Sequence, residues 1–155
     1  MRKGLALLGG ALFALSACQG QEPSAYESYN ERVLKNYNEE QIVDCSYVQI
    51  LAAERDRSKP GLEGDLTIND AIVRIVFQRF YGEKTGKVLS LEEIADASTL
   101  RKDFTLKMMK SGDRDGLSVD VMLRLNKCAA LINSIVFSRS LRSAYDSGTL
   151  EALSQ

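Results

Sequence analysis

The chain has 155 residues, of which 45% are hydrophobic, and its 20 basic and 21 acidic side chains leave a net charge of −1. This balance argues against a nucleic-acid partner, because proteins that bind nucleic acids present a basic surface. The sequence contains no histidine, which excludes Ser-His-Asp and Cys-His catalytic systems and zinc sites with histidine ligands.

The first eighteen residues are organised as an export signal. Arg2 and Lys3 precede an apolar segment, residues 4–15, that is shorter than the roughly 20 residues a helix needs to span a bilayer. The segment ends at Leu15-Ser16-Ala17-Cys18, which resembles the lipobox of bacterial lipoproteins. In that class the cysteine thiol is acylated and the signal is cleaved before it. The resemblance covers the signal alone and implies that residues 1–17 are removed and that Cys18 is lipidated.

The residues after Cys18 place the rest of the chain close to a membrane. Residues 18–24 are predicted to be the lipidated cysteine and a polar linker, followed by a single helical domain at 25–155. At about 3.5 Å per residue, the linker reaches roughly 20 Å. In proteobacterial lipoproteins an aspartate after the lipidated cysteine commonly signals inner-membrane retention, whereas Gln19 occupies that position here. The resemblance therefore implies an outer-membrane anchor facing the periplasm, with the inner membrane as the alternative.

Two further cysteines, Cys45 and Cys128, remain once Cys18 is acylated. In an exported protein such a pair is expected to form one disulfide, because the compartment is oxidising. We predict that this bond joins the first helical region to the central helix.

The hydrophobic pattern predicts an all-α fold, a small bundle of about four to five helices. Residues 24–57 are predicted to be helical with a break near Asn38, and Lys59-Pro60-Gly61 ends this region because proline disfavours helix at the preceding residue. The next helix is predicted to open at Thr67. Residues 72–81 within it are rich in β-branched and aromatic side chains, so a strand is the alternative there.

The second half of the chain has clearer helix signals. Gly82 and Gly86 are predicted to close the preceding segment, and Ser90-Leu-Glu-Glu93 forms a capping box that opens the next helix. This helix is predicted to bend near Ser98-Thr99 and to stop at Gly112.

Residues 117–145 form the longest periodic segment, and we predict that they are the central helix of the bundle. Its apolar arc is wide enough to indicate neighbouring elements on more than one side. The following side chains widen the arc on one flank: Val119, Leu123, Ala130, Phe137 and Leu141.

Four residues are candidates for a partner surface. Tyr26, Tyr29 and Tyr37 lie on one side of the first helix at helical spacing, and exposed tyrosine is favoured at interfaces. Arg79 falls on the apolar side of its predicted helix, where its charge is a candidate for binding a partner protein. The alternatives are packing of the tyrosines onto the bundle, and for Arg79 a buried ion pair or a side chain that extends to solvent from the helix end.

One pair of motifs suggests an enzyme. Tyr26-Glu-Ser-Tyr29 resembles the Glu-Ser motif of peptidoglycan lytic transglycosylases, and Ala144-Tyr-Asp-Ser-Gly148 resembles a later motif of that family. The resemblance implies Glu27 as the catalytic acid. The family's Gly-Leu-Met-Gln motif has no equivalent between the two, and their separation is longer than in the family. We therefore predict no enzymatic activity and keep the transglycosylase as the alternative.

No metal or cofactor is predicted. Asp113-Arg-Asp-Gly116 resembles the core of a calcium loop, but the position of the closing bidentate glutamate is Met122. Met108, Met109 and Met122 suggest a third function, a small hydrophobic ligand held between helices, although methionine more often fills gaps in a core.

The sequence thus predicts a non-enzymatic lipoprotein of the bacterial envelope. We expect it to bind another envelope protein as an assembly accessory, an inhibitor or an immunity-type protein. Its expected partners are the membrane, through the lipid, and that protein.

Overall fold

The computed structural model describes residues 22–104, 108 and 116–152. These residues contain eight α-helices and no strand, which confirms the all-α prediction, although the number of helices exceeds the predicted four to five. The helices are α1 (Ala25–Arg32), α2 (Glu39–Asp56), α3 (Glu63–Thr85), α4 (Leu91–Asp96), α5 (Leu100–Asp103), α6 (Val119–Val136), α7 (Arg139–Asp146) and α8 (Thr149–Ala152), with a 3₁₀ turn at Leu34–Asn36.

Short polar side chains determine where most helices begin. Ser24, Asn38 and Ser90 each form a capping box at the start of α1, α2 and α4, so both the predicted break near Asn38 and the predicted box at Ser90 are confirmed. Ser118 and Ser138 cap α6 and α7 with their hydroxyl groups. Each cap satisfies backbone N–H groups that have no partner within the helix.

Helix α3 differs from its prediction at its start and in its interior. It begins at Glu63, one turn before the predicted Thr67, whose hydroxyl donates to the Glu63 carbonyl at 2.7 Å. Residues 72–81 are helical, so the strand alternative is wrong, and Gly82 lies inside the helix. The helix ends at Gly86, whose φ of 67° is in the left-handed region that glycine adopts without a Cβ clash.

The periodic segment at residues 117–145 is not one helix. Phe137 is the C-cap of α6 and Ser138 starts α7, since its hydroxyl accepts from the Leu141 N–H. Among the described residues no single helix is long and apolar enough to cross a membrane. Helices α6 and α7 reach the necessary length and apolar content only when taken together, and their axes are bent by 52°. In the same way α4 and α5 are separate helices, so the chain is interrupted near Ser98-Thr99, where one bent helix was predicted. The predicted end at Gly112 lies outside the described residues.

The central helix is α2 rather than the predicted segment. It packs against α3, α4, α5 and α6, and every side chain from Ile42 to Gln49 is buried. A helix covered on all sides is the expected result where apolar residues surround the helix axis. Cys45 of α2 faces Cys128 of α6, with Cα atoms 4.8 Å and sulfur atoms 2.10 Å apart, so the predicted pair lies at disulfide distance.

Candidate functional site

The predicted tyrosine surface is largely buried, which corrects the expectation that it faces a partner. Tyr26 and Tyr29 are 1% and 5% exposed, and Tyr37 is half-buried. The Tyr26 hydroxyl donates to Glu83 at 3.3 Å and the Tyr29 hydroxyl donates to Ser134 at 3.2 Å. Burial and the Glu83 carboxylate together raise the pKa of Tyr26. The two tyrosines are therefore the side of α1 that packs onto the bundle.

Arg79 and Glu83 form a partly exposed cluster with Tyr26. The Nε of Arg79 lies 3.2 Å from a carboxylate oxygen of Glu83, and its guanidinium lies 5.4 Å from the centre of the Tyr26 ring. Asn30 also donates to Glu83, at 3.4 Å. The structure thus brings Arg79 and Tyr26 together, but as a link between α3 and α1. Arg79 is thus in an ion pair with Glu83, but a partly exposed one rather than the buried pair of the alternative.

Glu27 has an environment opposite to that of a catalytic acid. It lies in the exposed first turn of α1, where its carboxylate accepts the backbone N–H of Ser24 at 2.7 Å. This hydrogen bond, together with one involving the Ser24 side chain, lowers the pKa of Glu27 below 4.5. A general acid that works near neutral pH needs a raised pKa, which burial supplies. The residue that the transglycosylase resemblance implies is therefore held ionised by a capping box.

Sequence reasoning missed an ion pair that links α2 to α6. Asp44 of α2, 4% exposed, accepts from Arg124 of α6 with one oxygen, and from the Ser98 hydroxyl and the Leu100 N–H with the other. Burial lowers the pKa of Arg124, but the hydrogen bonds and charge of Asp44 raise it overall. Four donors thus bind the two oxygens of Asp44, and these hydrogen bonds link α2 to α6 and to the start of α5. The available signal was an acid that directly follows the apolar pair Ile42 and Val43 and precedes Cys45, since a carboxylate buried among such residues requires a partner.

A cleft of about 590 Å³ lies between the C-terminal half of α2, the N-terminal half of α3 and one side of α6. Its apolar lining side chains include Val48, Ala52, Leu66, Met122, Leu125 and Ile132. Clefts of this size with mostly apolar walls are the common form of binding sites in proteins. This cleft is the candidate functional site.

The two sides of the cleft differ in charge. The α6 side, including its C-cap, contributes no charged residue; its lining residues are Met122, Leu125, Asn126, Ala129, Ile132, Asn133, Val136 and Phe137. The opposite side, from α2, α3 and the turn between them, contributes five charged residues: Arg55, Asp56, Arg57, Glu63 and Asp70. An occupant therefore meets an uncharged wall on one side and a charged rim on the other.

Two of the three carboxylates of this rim, Asp56 and Asp70, already have cationic partners. Asp56 lies 3.1 Å from both Arg55 and Lys59 through a single oxygen. Asp70 accepts from Arg74 at 2.8 Å and from Gln49 at 3.0 Å, and it lies 3.7 Å from Arg57. Asp56 and Asp70 thus each lie near two cationic side chains, and the side chains of Arg55 and Arg57 remain more than half exposed.

The uncharged wall continues onto the outer surface of α6. Six residues, all exposed, follow one another at alternating steps of four and three, and we call them the α6 stripe: Val119, Leu123, Asn126, Ala130, Asn133 and Phe137. Val119, Leu123 and Phe137 are 76%, 63% and 80% exposed. The charged residues of α6, Asp120, Arg124 and Lys127, lie outside the stripe.

The α6 stripe contains four of the residues that were expected to widen a covered arc. The fifth, Leu141, is buried as expected, whereas Val119, Leu123, Ala130 and Phe137 are exposed. Met122 lines the cleft, as the hydrophobic-ligand hypothesis required, and Met108 is half-buried. Met109, Cys18 and residues 113–115 of the calcium-like motif lie outside the described residues. Within the described ranges, no group of three or more potential metal-ligating side chains is present.

No protein-family model, no curated protein and no solved structure matches this chain.

Proposed function

We propose that this protein is a lipid-anchored, non-enzymatic protein of the bacterial envelope that binds another envelope protein. The observation that supports this proposal is the exposed, uncharged surface formed by the α6 stripe and the adjoining cleft. Three large apolar side chains of this surface, Val119, Leu123 and Phe137, are exposed to water, and clustered exposed apolar side chains commonly mark binding sites. The binding surface is thus on α6 and the cleft, and not on the tyrosine side of α1.

The proposed location rests on the signal. Leu15-Ser16-Ala17-Cys18 supplies the residues of a lipobox, and Gln19 follows in place of the aspartate that retains lipoproteins in the inner membrane. The mature protein would therefore be anchored through Cys18 to the outer membrane, on its periplasmic side. Ser24, the N-cap of α1, is only six residues beyond Cys18, so the anchor holds the bundle and its cleft close to the membrane surface.

The carboxylates of the candidate site favour binding over catalysis. Burial alone would raise the pKa of Asp56. The hydrogen bonds and charges of Arg55 and Lys59 nevertheless lower this pKa overall. Asp70 is held by Arg74 and Gln49. Because its two cations keep it ionised, the Asp56 carboxylate is a poor proton donor at neutral pH. These groups therefore suit the recognition of a partner.

Site-specific photo-cross-linking in cells that express the full chain tests this proposal. A photoreactive residue in place of Ala129, which lines the cleft and is exposed, is expected to form one defined protein adduct. Ala129→Arg should abolish co-purification of the same protein, because it introduces a large charged side chain on the uncharged wall. Ala97→Arg is the matched control, since Ala97 is exposed and lies outside the cleft. Equal recovery of the partner by both variants would contradict the proposal.

The enclosed volume of the cleft favours a second candidate, the binding of a small hydrophobic ligand. A volume of about 590 Å³ is within the range of roughly 300–1,000 Å³ that is typical of ligand pockets. Native mass spectrometry of the purified full chain would show a stoichiometric apolar adduct that is lost in Ala129→Arg and kept in Ala97→Arg. If the protein is detected without an adduct, under conditions that preserve other complexes of proteins with hydrophobic ligands, the ligand-binding hypothesis would be contradicted.

A further inference from the structure

We infer that oxidation of Cys45 and Cys128 to a disulfide activates this site, because the cleft takes its binding shape only when the two sulfurs are joined. This inference rests on the proposed function and adds the regulation of the same site. It follows from the position of the two cysteines beside the lining residues, from the space that unbonded thiols need, and from the burial of both side chains.

Each of the two cysteines is next to residues that line the cleft. On α2, Val48 and Gln49 line it one turn after Cys45. On α6, Ala129 lines it immediately after Cys128. The Cα atoms of the two cysteines are 4.8 Å apart. A bond between them therefore fixes the separation of the α2 and α6 walls at this point.

Unbonded thiols cannot keep the two walls at this separation. Sulfur atoms joined by a bond are about 2.0 Å apart, whereas atoms in van der Waals contact are about 3.5–4.0 Å apart. The reduced side chains therefore need about 1.5–2 Å more space between α2 and α6. Protein interiors have few voids that could take up such a change, so the helices must shift. The walls that these helices carry then lose the spacing of the bonded form.

A second link between the same helices keeps the reduced chain folded. Asp44, which precedes Cys45, accepts two hydrogen bonds from Arg124, one turn before Cys128. This ion pair does not depend on the oxidation state of the sulfurs. Reduction therefore changes the geometry of the cleft without separating α2 from α6.

Thiol–disulfide exchange with a disulfide-bearing oxidant forms the bond. One cysteine thiolate attacks the disulfide of the oxidant, which releases one thiol and leaves a mixed disulfide. The other cysteine thiolate attacks the protein sulfur of that mixed disulfide and releases the second thiol, so two electrons pass from the protein to the oxidant. Cys45 and Cys128 are only 1% and 3% exposed, which shields the finished bond from reductants. The cleft thus becomes competent in an oxidising compartment and remains so.

Photo-cross-linking from Ala129 tests this inference in cells that export the full chain. The bonded protein is compared with Cys45→Ala combined with Cys128→Ala, and with Cys45→Ala combined with Cys128→Val, which refills part of the space left by sulfur. Both double variants should form the protein adduct about tenfold less, since a shift of more than about 1 Å misplaces the groups of a binding site. Their circular dichroism spectra should keep the helical signal, because the ion pair between α2 and α6 remains.

Leu141→Ala is the matched control for lost stability. Leu141 is buried in α7, outside the cleft, and its truncation leaves a cavity that destabilises the bundle. The disulfide is retained in this variant, so its adduct yield from Ala129 should equal that of the unchanged protein. Urea denaturation establishes how much stability each variant has lost.

The other outcomes overturn the inference in distinguishable ways. Double variants that form the adduct as well as the unchanged protein would overturn it and leave the proposed function intact. An equal fall in the double variants and in Leu141→Ala would also overturn it, because lost stability would then explain both. Loss of the helical signal in the double variants would show that the bond is needed for the fold itself, which likewise overturns the inference. No adduct from Ala129 in the unchanged protein would overturn the proposed function as well.

Discussion

One oxygen of Asp44 on α2 accepts two hydrogen bonds from Arg124 on α6, at 3.0 Å from Nε and 2.6 Å from Nη2. The other oxygen accepts from the hydroxyl of Ser98, between α4 and α5, and from the backbone N–H of Leu100, the first residue of α5. Arg124 also donates to Thr99 at 2.8 Å. A single buried carboxylate thus links α2 to α6, to the connection after α4 and to the start of α5.

Arg124→Met should destabilise the fold strongly, because it leaves the Asp44 carboxylate buried without its cation. Breaking a fully buried ion pair costs about 3–5 kcal/mol. Since the Arg124 side chain is 23% exposed, we expect a loss of about 2–4 kcal/mol in the free energy of unfolding, measured by urea denaturation. Arg101→Met, at an exposed ion pair with Asp96, is the control and should cost less than about 1 kcal/mol. Equal losses of unfolding free energy in the two variants would show that the buried Asp44–Arg124 pair stabilises the fold no more than an exposed ion pair does.

The capping box at Ser24 and Glu27 predicts a pH dependence. Because folding lowers the pKa of Glu27, its ionised form stabilises α1 at pH values above 4.5, and this contribution is lost as the pH falls from 4.5 through the lower folded-state pKa. The difference in melting temperature between the unchanged protein and Glu27→Ala should therefore be constant from pH 7 to about pH 5 and shrink below it. If a nuclear magnetic resonance titration gives Glu27 a pKa above 4.5, the stabilising role of its carboxylate in the capping box would be contradicted. Such a result would favour Glu27 as the catalytic acid of the transglycosylase alternative.

Replacing both Cys45 and Cys128 with alanine should lower the free energy of unfolding by on the order of 4 kcal/mol. The two residues are 83 positions apart, so a bond between them removes much of the conformational freedom of the unfolded chain. Reductant should destabilise the unchanged protein by a similar amount and leave the double variant unaffected. Non-reducing peptide mapping of protein from the periplasm should find the linked peptides. Two alkylatable thiols at these positions in the unreduced protein would show that the bond does not form.

Cys18→Ser should prevent lipidation, because acyl transfer requires the thiol. We expect unprocessed precursor to accumulate and the acylated form to disappear, as measured by metabolic labelling with a fatty acid and by mass spectrometry of the amino terminus. Ser16→Ala keeps a small residue within the same motif and should be processed normally. A mature protein that begins elsewhere than at Cys18 would contradict the lipoprotein assignment.

Much of the secondary structure followed from signals within a few residues. The box at Ser90 and the break near Asn38 were predicted because a cap acts on backbone groups of the same turn, which the adjacent sequence specifies. Gly86 ended α3 for the same local reason. The break at Ser138 was missed because apolar residues continue in phase on both sides of it, and periodicity alone does not show where a helix axis changes direction.

The tertiary structure decided which apolar faces are covered. Tyr26 and Phe137 both lie on apolar arcs of their helices, yet Tyr26 is buried against Glu83 and Arg79 while Phe137 is 80% exposed. Asp44 and Arg124, which lie 80 residues apart, were recognised as partners only once α2 and α6 were seen to pack together. Helical periodicity determines which side chains share a face, because that depends on the geometry of one helix. Whether the face meets another helix, a cleft or water depends on contacts between distant segments, and so only the packed bundle located the α6 stripe and the cleft beside it.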